Sequence, residues 1–222
     1  MQAIRNMEFV TNAIKGYAAG QPILTADIAV GLAKVRKMSG KQARAAVAVC
    51  MQRIIQKKEI ANLYFYKNGV YYIAKQTVFG TTKIDNEKLI ESKYLTGDNG
   101  YETGPLLLNK IGLTTLMPNV RYIATNKAKD NTRVDRDLNI VLKKPRTQIN
   151  EDNKRYLQFL DILDYMEKAP VDAENPLVIL AGFVQEYKLK YAKILALANR
   201  YYSGRVIVKI AGVAEEGAQL SC

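Results

Sequence analysis

The stretch TADIAVGLAKVRKMSGKQARAAVAVCMQRIIQK, residues 25–57, with IANLYFYKNGVYYIA at 60–74 after it, decides how the first part of the chain folds. Thr25 reads as a helix N-cap, with Asp27 as an acid in the first turn. Apolar Ile28, Leu32 and Val35 follow at helical spacing. The break at 36–40 contains a second capping residue, Ser39. From residue 41 to 57, Ala43, Val47, Cys50, Met51 and Ile54 recur three and four apart and form one apolar stripe. Residues 60–66 and 70–74 are rich in aromatic and β-branched side chains, which predicts two strands. Between them lies Lys67-Asn68-Gly69, where Asn-Gly supplies the positive φ angles of a tight hairpin.

Upstream, residues 1–15 place Ile4, Met7, Val10 (or Thr11) and Ile14 on one face, with Gly16 as a stop. Gln21-Pro22 turns the chain into an extended Ile23-Leu24, which is expected to pair with the hairpin as a third strand. The order is that of a winged helix-turn-helix. Such a domain meets DNA through its second stretch-defining helix. With 100° per residue, the face opposite the stripe carries Lys41, Gln42, Ala45, Ala48, Val49, Gln52 and Gln56. Lys41 and Gln42 sit in the first turn; Gln can hold adenine by two hydrogen bonds, and Lys serves guanine or phosphate. Small Ala45 and Ala48 allow close approach to a groove, and Arg44 on the flank is nearer a phosphate strand. Ser39, Lys41, Gln42, Arg44, Ala45 and Gln52, with Lys67 and Asn68 at the hairpin tip, are therefore the expected DNA-contacting set. Each of them, taken singly, also reads as an ordinary solvated residue.

Charge supports the same division. The net charge of the 222 residues is +12. Residues 1–80 hold 12 Lys and Arg against 3 Asp and Glu, whereas 81–222 hold 21 against 18. A basic module joined to a nearly neutral one is the footprint of a nucleic-acid reader with a second task. No apolar run reaches membrane-spanning length, no signal peptide is legible, and no basic amphipathic helix carries aromatic anchors. A cytoplasmic protein without a membrane partner is expected. Of the two cysteines, Cys50 lies on a helix stripe and Cys222 ends the chain, so no disulfide framework is expected. The chain has no His, P-loop or GxSxG elbow, so no enzyme activity, metal or cofactor is expected.

In the second half, helices are expected at 86–94, at 106–111 opened by Pro105 and closed by Gly112, and at 151–168 capped by Asn150. The stripe of the last is Tyr156, Leu157, Leu160, Leu163 and Tyr165 or Met166. Residues 177–200, after Asn175-Pro176, read as two helices or one bent one. Strands are expected at 120–125, 132–134 and 138–142. Residues 206–210 look like a strand in a helical setting, 75–82 like a polar boundary, and 216–222 like a frayed tail. Asp130, Arg133, Asp135, Arg136 and Asp137 form a mixed-sign cluster. Asp135 and Asp137 alternate onto one side of a strand, as a metal-dependent nuclease would want, although a charged solvated hairpin has the same pattern.

Gly100-Tyr-Glu-Thr-Gly104, then Asn109-Lys-Ile-Gly-Leu-Thr-Thr115, Pro118 and Arg121-Tyr-Ile-Ala-Thr125, resemble the antitoxin domain of AbiEi-type proteins of type IV toxin–antitoxin systems. The first half resembles their N-terminal winged helix, including Asn68-Gly-Val-Tyr71, so the resemblance covers roughly residues 1–215. This chain departs from the family at Leu116, where Gln is frequent. The family's last helix corresponds to residues 203–213, against a strand there. The resemblance implies an α+β protein with a winged helix at 1–80 and a mixed α/β antitoxin domain at 81–222. It implies a transcriptional autorepressor that binds operator double-stranded DNA and leaves room for oligomers on it. It further implies an antitoxin that counters a cognate nucleotidyltransferase toxin without needing a stable complex. The alternatives are a metal-dependent nuclease-like enzyme and a winged-helix protein–protein adaptor. Gly104, Gly112, Asn109, Thr114 and Thr115 can equally be framework residues of a short helix and its loop.

Overall fold

In a computed structural model of the protein, residues 2–219 are described, and the chain divides into two compact units, Met1–Lys93 and Tyr94–Cys222. The fold is mixed α+β, with helices and small sheets in both units. The N-terminal unit runs α1 (Gln2–Lys15), β1 (Pro22–Leu24), α2 (Thr25–Arg36), α3 (Gly40–Lys57), β2 (Leu63–Lys67) and β3 (Val70–Ile73). Its core is Val10 and Ile14 of α1, Ile23, Leu32 of α2, and Val47, Met51 and Ile54 of α3, all wholly buried. Each such side chain contributes about 1.5–3 kcal/mol by leaving water. Every residue of the expected α3 stripe is buried. The Ile4 side chain and Cys222 lie outside the described residues.

Strand β1 pairs antiparallel with β3, in the register Ile23↔Tyr71, which gives a three-stranded sheet of order β1-β3-β2. Three details differ from expectation. Thr25 is not the N-cap of α2 but its first helical residue. Its backbone N–H donates to the Gly69 carbonyl at 3.0 Å, and its hydroxyl donates to the same oxygen at 3.3 Å. Val35 is 60% exposed, and Ala29 is buried instead. The stripe centred on Ile28, Ala29 and Leu32 leaves Val35 on its edge, two residues before the left-handed Lys37 ends the helix. In the hairpin, only Gly69 of the turn has positive φ (76°), and Asn68 does not. The left-handed asparagine is Asn62 at the hairpin's base. The register jumps from Phe65↔Tyr71 to Lys67↔Val70, so Tyr66 is the extra residue of a bulge. The closing pair leaves the two residues Asn68-Gly69 as the loop, with the bulge beside it and a single left-handed glycine rather than two left-handed residues.

The two faces of the hairpin differ. Leu63, Tyr71 and Ile73 pack on the core, while Tyr64 and Tyr72 stack on the other face at 5.7 Å. Phe65, on the edge strand β2, is 59% exposed, and its ring meets Tyr71 edge-on. Residues 75–82 are not a plain polar linker. They form a small hairpin, β4 (Gln76–Thr77) with β5 (Gly80–Thr81), whose tip residues Val78 and Phe79 are almost fully exposed. The chain then returns to the N-terminal unit, where the Asp85 N–H donates to the Gly20 carbonyl. Asp85 caps α4 (Asn86–Ile90), which continues as a wider π turn over Glu91–Leu95. The N-terminal unit extends to Lys93.

The C-terminal unit contains β6 (Gly100–Thr103), α5 (Pro105–Lys110), β7 (Arg121–Thr125), β8 (Thr132–Asp135), β9 (Ile140–Lys143) and four further helices. The sheet order is β6-β7-β9-β8, with β7 and β9 parallel and the other pairs antiparallel. Helix α6 (Lys154–Tyr165) starts later than expected. Asn150 and Asn153 exchange backbone N–H to Oδ1 bonds at 2.9 Å, so 151–153 form a turn before the helix. Its Leu157, Phe159, Leu160 and Leu163 are wholly buried. Residues 177–200 are two helices, α7 (Pro176–Glu186) and α8 (Tyr191–Tyr201), separated where Lys188 takes φ 50°. Residues 206–210 are helical, inside α9 (Gly204–Gln219), and the described part of the tail is ordered helix rather than frayed coil.

Candidate nucleic-acid interface

Ser39 ends the break between α2 and α3 with extended backbone, so its side chain can reach back into the first turn. Its Oγ accepts the Gln42 N–H at 3.3 Å, and the Gln42 Oε1 accepts the Ser39 N–H at 3.0 Å. This capping box fixes the start of α3. From there the 3.6-residue repeat presents Lys41, Gln42, Ala45, Ala48, Val49, Gln52 and Gln56 outward, and all seven are exposed. Arg44 is exposed beside them.

The arrangement adds a constraint invisible in the periodicity. Gln42 has its oxygen engaged within the helix start, so the expected two-bond approach to adenine would require the box to open. Ala45 and Val49 do not front open space alone. With Asn6 of α1, Ala46, Cys50 and Arg53 they line a groove of about 320 Å³. A second groove of about 570 Å³ runs beside it, with Lys15, Arg53 and Lys57 set against Glu8 and Glu59. Arg53 and Lys57 were absent from the expected contact set, although their spacing from Lys41 and Arg44 could have indicated this second basic edge. Burial pushes the Cys50 thiol up, in keeping with a core residue rather than a reactive one.

Lys67 and Asn68 lie at the end of the β2–β3 hairpin. Gly69 ties that end to Thr25, so the structure sets it at the start of α2. The Lys67 ammonium sits 5.5 Å from the centre of the Tyr66 ring. The expected set is thus two groups: six residues along α3 and its cap, and two at the hairpin tip.

The motifs of the C-terminal unit form framework contacts. A Cβ at position 100 would lie 2.2 Å from the Ala124 carbonyl oxygen, and one at 104, where φ is 81°, would strike the Tyr122 ring. Between these glycines Tyr101 and Thr103 project to one side of β6 and donate to Oδ2 of Asp161 at 3.1 and 2.9 Å. Glu102 pairs with Lys110 and Arg121. Asn109 donates to the Thr114 carbonyl, and the Thr115 N–H and hydroxyl both donate to Asp172, which holds that carboxyl below its usual range. Asp137 is not on a strand: β8 stops at Asp135, whose carboxylate accepts the Leu138 N–H, and residues 136–139 turn. The Asp135/Asp137 alternation therefore does not form. Among the described residues no three acidic, Cys or His side chains are grouped to hold a metal ion. Nor is any helix there long and apolar enough to cross a membrane.

Compared with known protein families, the chain matches no family model, and it matches no curated protein.

Proposed function

We propose that the protein is a DNA-binding autorepressor and antitoxin of the type IV class, with its N-terminal unit acting as a winged helix on operator DNA. The observation that carries this reading is the outer face of α3. It has a fixed, capped start, a small-residue centre at Ala45 and Ala48, and Lys41 and Arg44 at its leading end. A helix of that character is what a major groove admits. The β2–β3 hairpin then serves as the wing, and Lys67 at its tip supplies a phosphate contact that positions without reading sequence. The charge balance of residues 1–80 supplies the long-range attraction. The antitoxin half of the reading, toward a nucleotidyltransferase toxin, rests on the motif resemblance at residues 100–125.

The test is a gel-shift titration of the double variant Lys41→Ala/Arg44→Ala on the DNA upstream of the gene. Both side chains are exposed, so folding should be unaffected while operator affinity falls by about 2 kcal/mol or more. Unchanged affinity in a folded double variant rejects α3 as the reading helix.

A further inference from the structure

The C-terminal unit has a cation-lined pocket of its own, made where the end of β9 passes the end of α6. Its volume is about 200 Å³, and Lys143, Lys144, Arg146 and Lys168 stand around it. Two carboxylates share the lining, but both are committed. Asp164 accepts from Arg146 at 3.1 Å and from Lys168 at 2.6 Å. Asp161 is turned to hydroxyl groups: Tyr202 donates to it at 2.7 Å, and Tyr101 and Thr103 donate to its other oxygen. The pocket is left with more positive than negative charge.

The cations are also aimed. The Lys143 ammonium lies 5.2 Å from the centre of the Tyr122 ring and 4.9 Å from that of Tyr165. The Arg146 guanidinium lies 4.3 Å over the Tyr202 ring, and the Lys168 ammonium 5.4 Å over that of Tyr165. Ring faces attract and orient a cation without consuming its N–H donors. Lys143 donates to the Tyr165 hydroxyl oxygen, which leaves two further N–H groups on the ammonium and the phenol's own proton free to donate. Among the described residues Lys143 and Lys144 form no ion pair. A partly buried ammonium held by rings, beside an exposed one, is a group awaiting an anion.

We propose that this pocket binds the phosphate group of a small phosphomonoester, with Lys143 and Lys144 as its charge partners and Tyr165 as a neutral donor. Size limits the ligand. Pockets that enclose a whole drug-sized molecule span about 300–1,000 Å³, so this one takes the oxyanion and leaves the rest of the ligand outside. Ammonium groups suit phosphate as point charges without demanding the two-pronged geometry of Arg. The inference stands apart from the DNA-binding reading, because every residue in it belongs to the C-terminal unit.

The test titrates the full-length protein calorimetrically, at constant ionic strength, with inorganic phosphate, with adenosine monophosphate and with a short DNA duplex. Saturable binding of the monophosphate is the expected result. Tighter binding of the monophosphate than of inorganic phosphate shows that the organic part adds contacts, equal binding shows that the phosphate group carries the affinity, and binding of inorganic phosphate alone overturns the phosphomonoester. Lys144→Glu, at an exposed position, should keep the thermal melting curve and lower the affinity at least about tenfold. Lys143→Met should lower it as well, with circular dichroism checking that the fold remains. Saturation by the duplex alone, saturation by nothing, or undiminished phosphate binding in folded Lys144→Glu each overturns the proposal.

Discussion

Gln42 Oε1 accepts the Ser39 N–H while Ser39 Oγ accepts the Gln42 N–H, so one pair of side chains closes the start of α3 reciprocally. The residue best suited to reading adenine is thus also part of the helix's own end. Ser39→Ala should lower the unfolding free energy by about 1 kcal/mol, and Gln42→Ala by about half that, both read by urea denaturation. Base preference in a panel of operator variants should be unchanged in Gln42→Ala. A lost preference at one base pair with unaltered stability would show that the box opens on DNA.

Lys67→Ala should weaken specific and nonspecific DNA alike and reduce the slope of log affinity against log salt by about one. A fall in specific affinity alone, with the slope intact, would make the hairpin tip a reader of bases.

Asp161 is buried among Tyr101, Thr103 and Tyr202, and desolvation raises its pKa despite those hydroxyl donors and the nearby Arg146 charge. Burial and the Asp161 charge together push the Tyr202 phenol far up, so it stays a donor throughout the working range. An acid whose folded-state pKa exceeds its unfolded value holds its proton more tightly when folded. Its contribution is full below the unfolded pKa and declines as pH rises through the folded one. The stability advantage of the wild type over Asp161→Asn should therefore shrink as pH is raised above about 4, measured by denaturation at successive pH values. Asp161→Ala should cost about 3 kcal/mol or more, since it strands three hydroxyl donors. An advantage that grows with pH would mean the carboxylate is preferentially charged in the fold.

Two glycines should respond in opposite directions. Gly100→Ala forces a Cβ to 2.2 Å from the Ala124 carbonyl oxygen and 2.6 Å from that of Tyr94, so it should abolish or severely impair folding of the C-terminal unit. Gly182 lies inside α7 with nothing within 4 Å of an added Cβ, and Gly182→Ala should stabilise by about 0.5–1 kcal/mol. Melting temperatures of the two variants decide both statements.

The α3 stripe was legible because a period of 3.6 leaves its mark on five apolar residues in a row of eighteen. The hairpin was legible from its aromatic runs and Gly69. Strand β6 was not. Three residues between Gly100 and Gly104 resemble a loop, and the reason Tyr101 and Thr103 alternate is Asp161, some sixty residues away. Sequence separation hides the pocket too, since Lys143 ends β9, Lys168 lies in the turn after α6, and each alone is a common surface residue. Val78 and Phe79 were hidden for the opposite reason: a two-residue strand has no period to detect. The outer face of α3 was read correctly as exposed, but a helical wheel cannot show that Gln42 is already occupied or that α1 borders Ala45.

The double attachment of Thr25 to the Gly69 carbonyl makes the hairpin a lever rather than a free arm. Its far end is clamped to the first turn of α2, and its inner strand is stitched to β1 just before that turn. A load placed on the tip is delivered to α2, and through the packed interface of α2 with α3 to the orientation of the outward helix. Tip and helix are thus joined by one continuous path of hydrogen bonds and packing, so neither can be displaced far without straining the Thr25–Gly69 attachment.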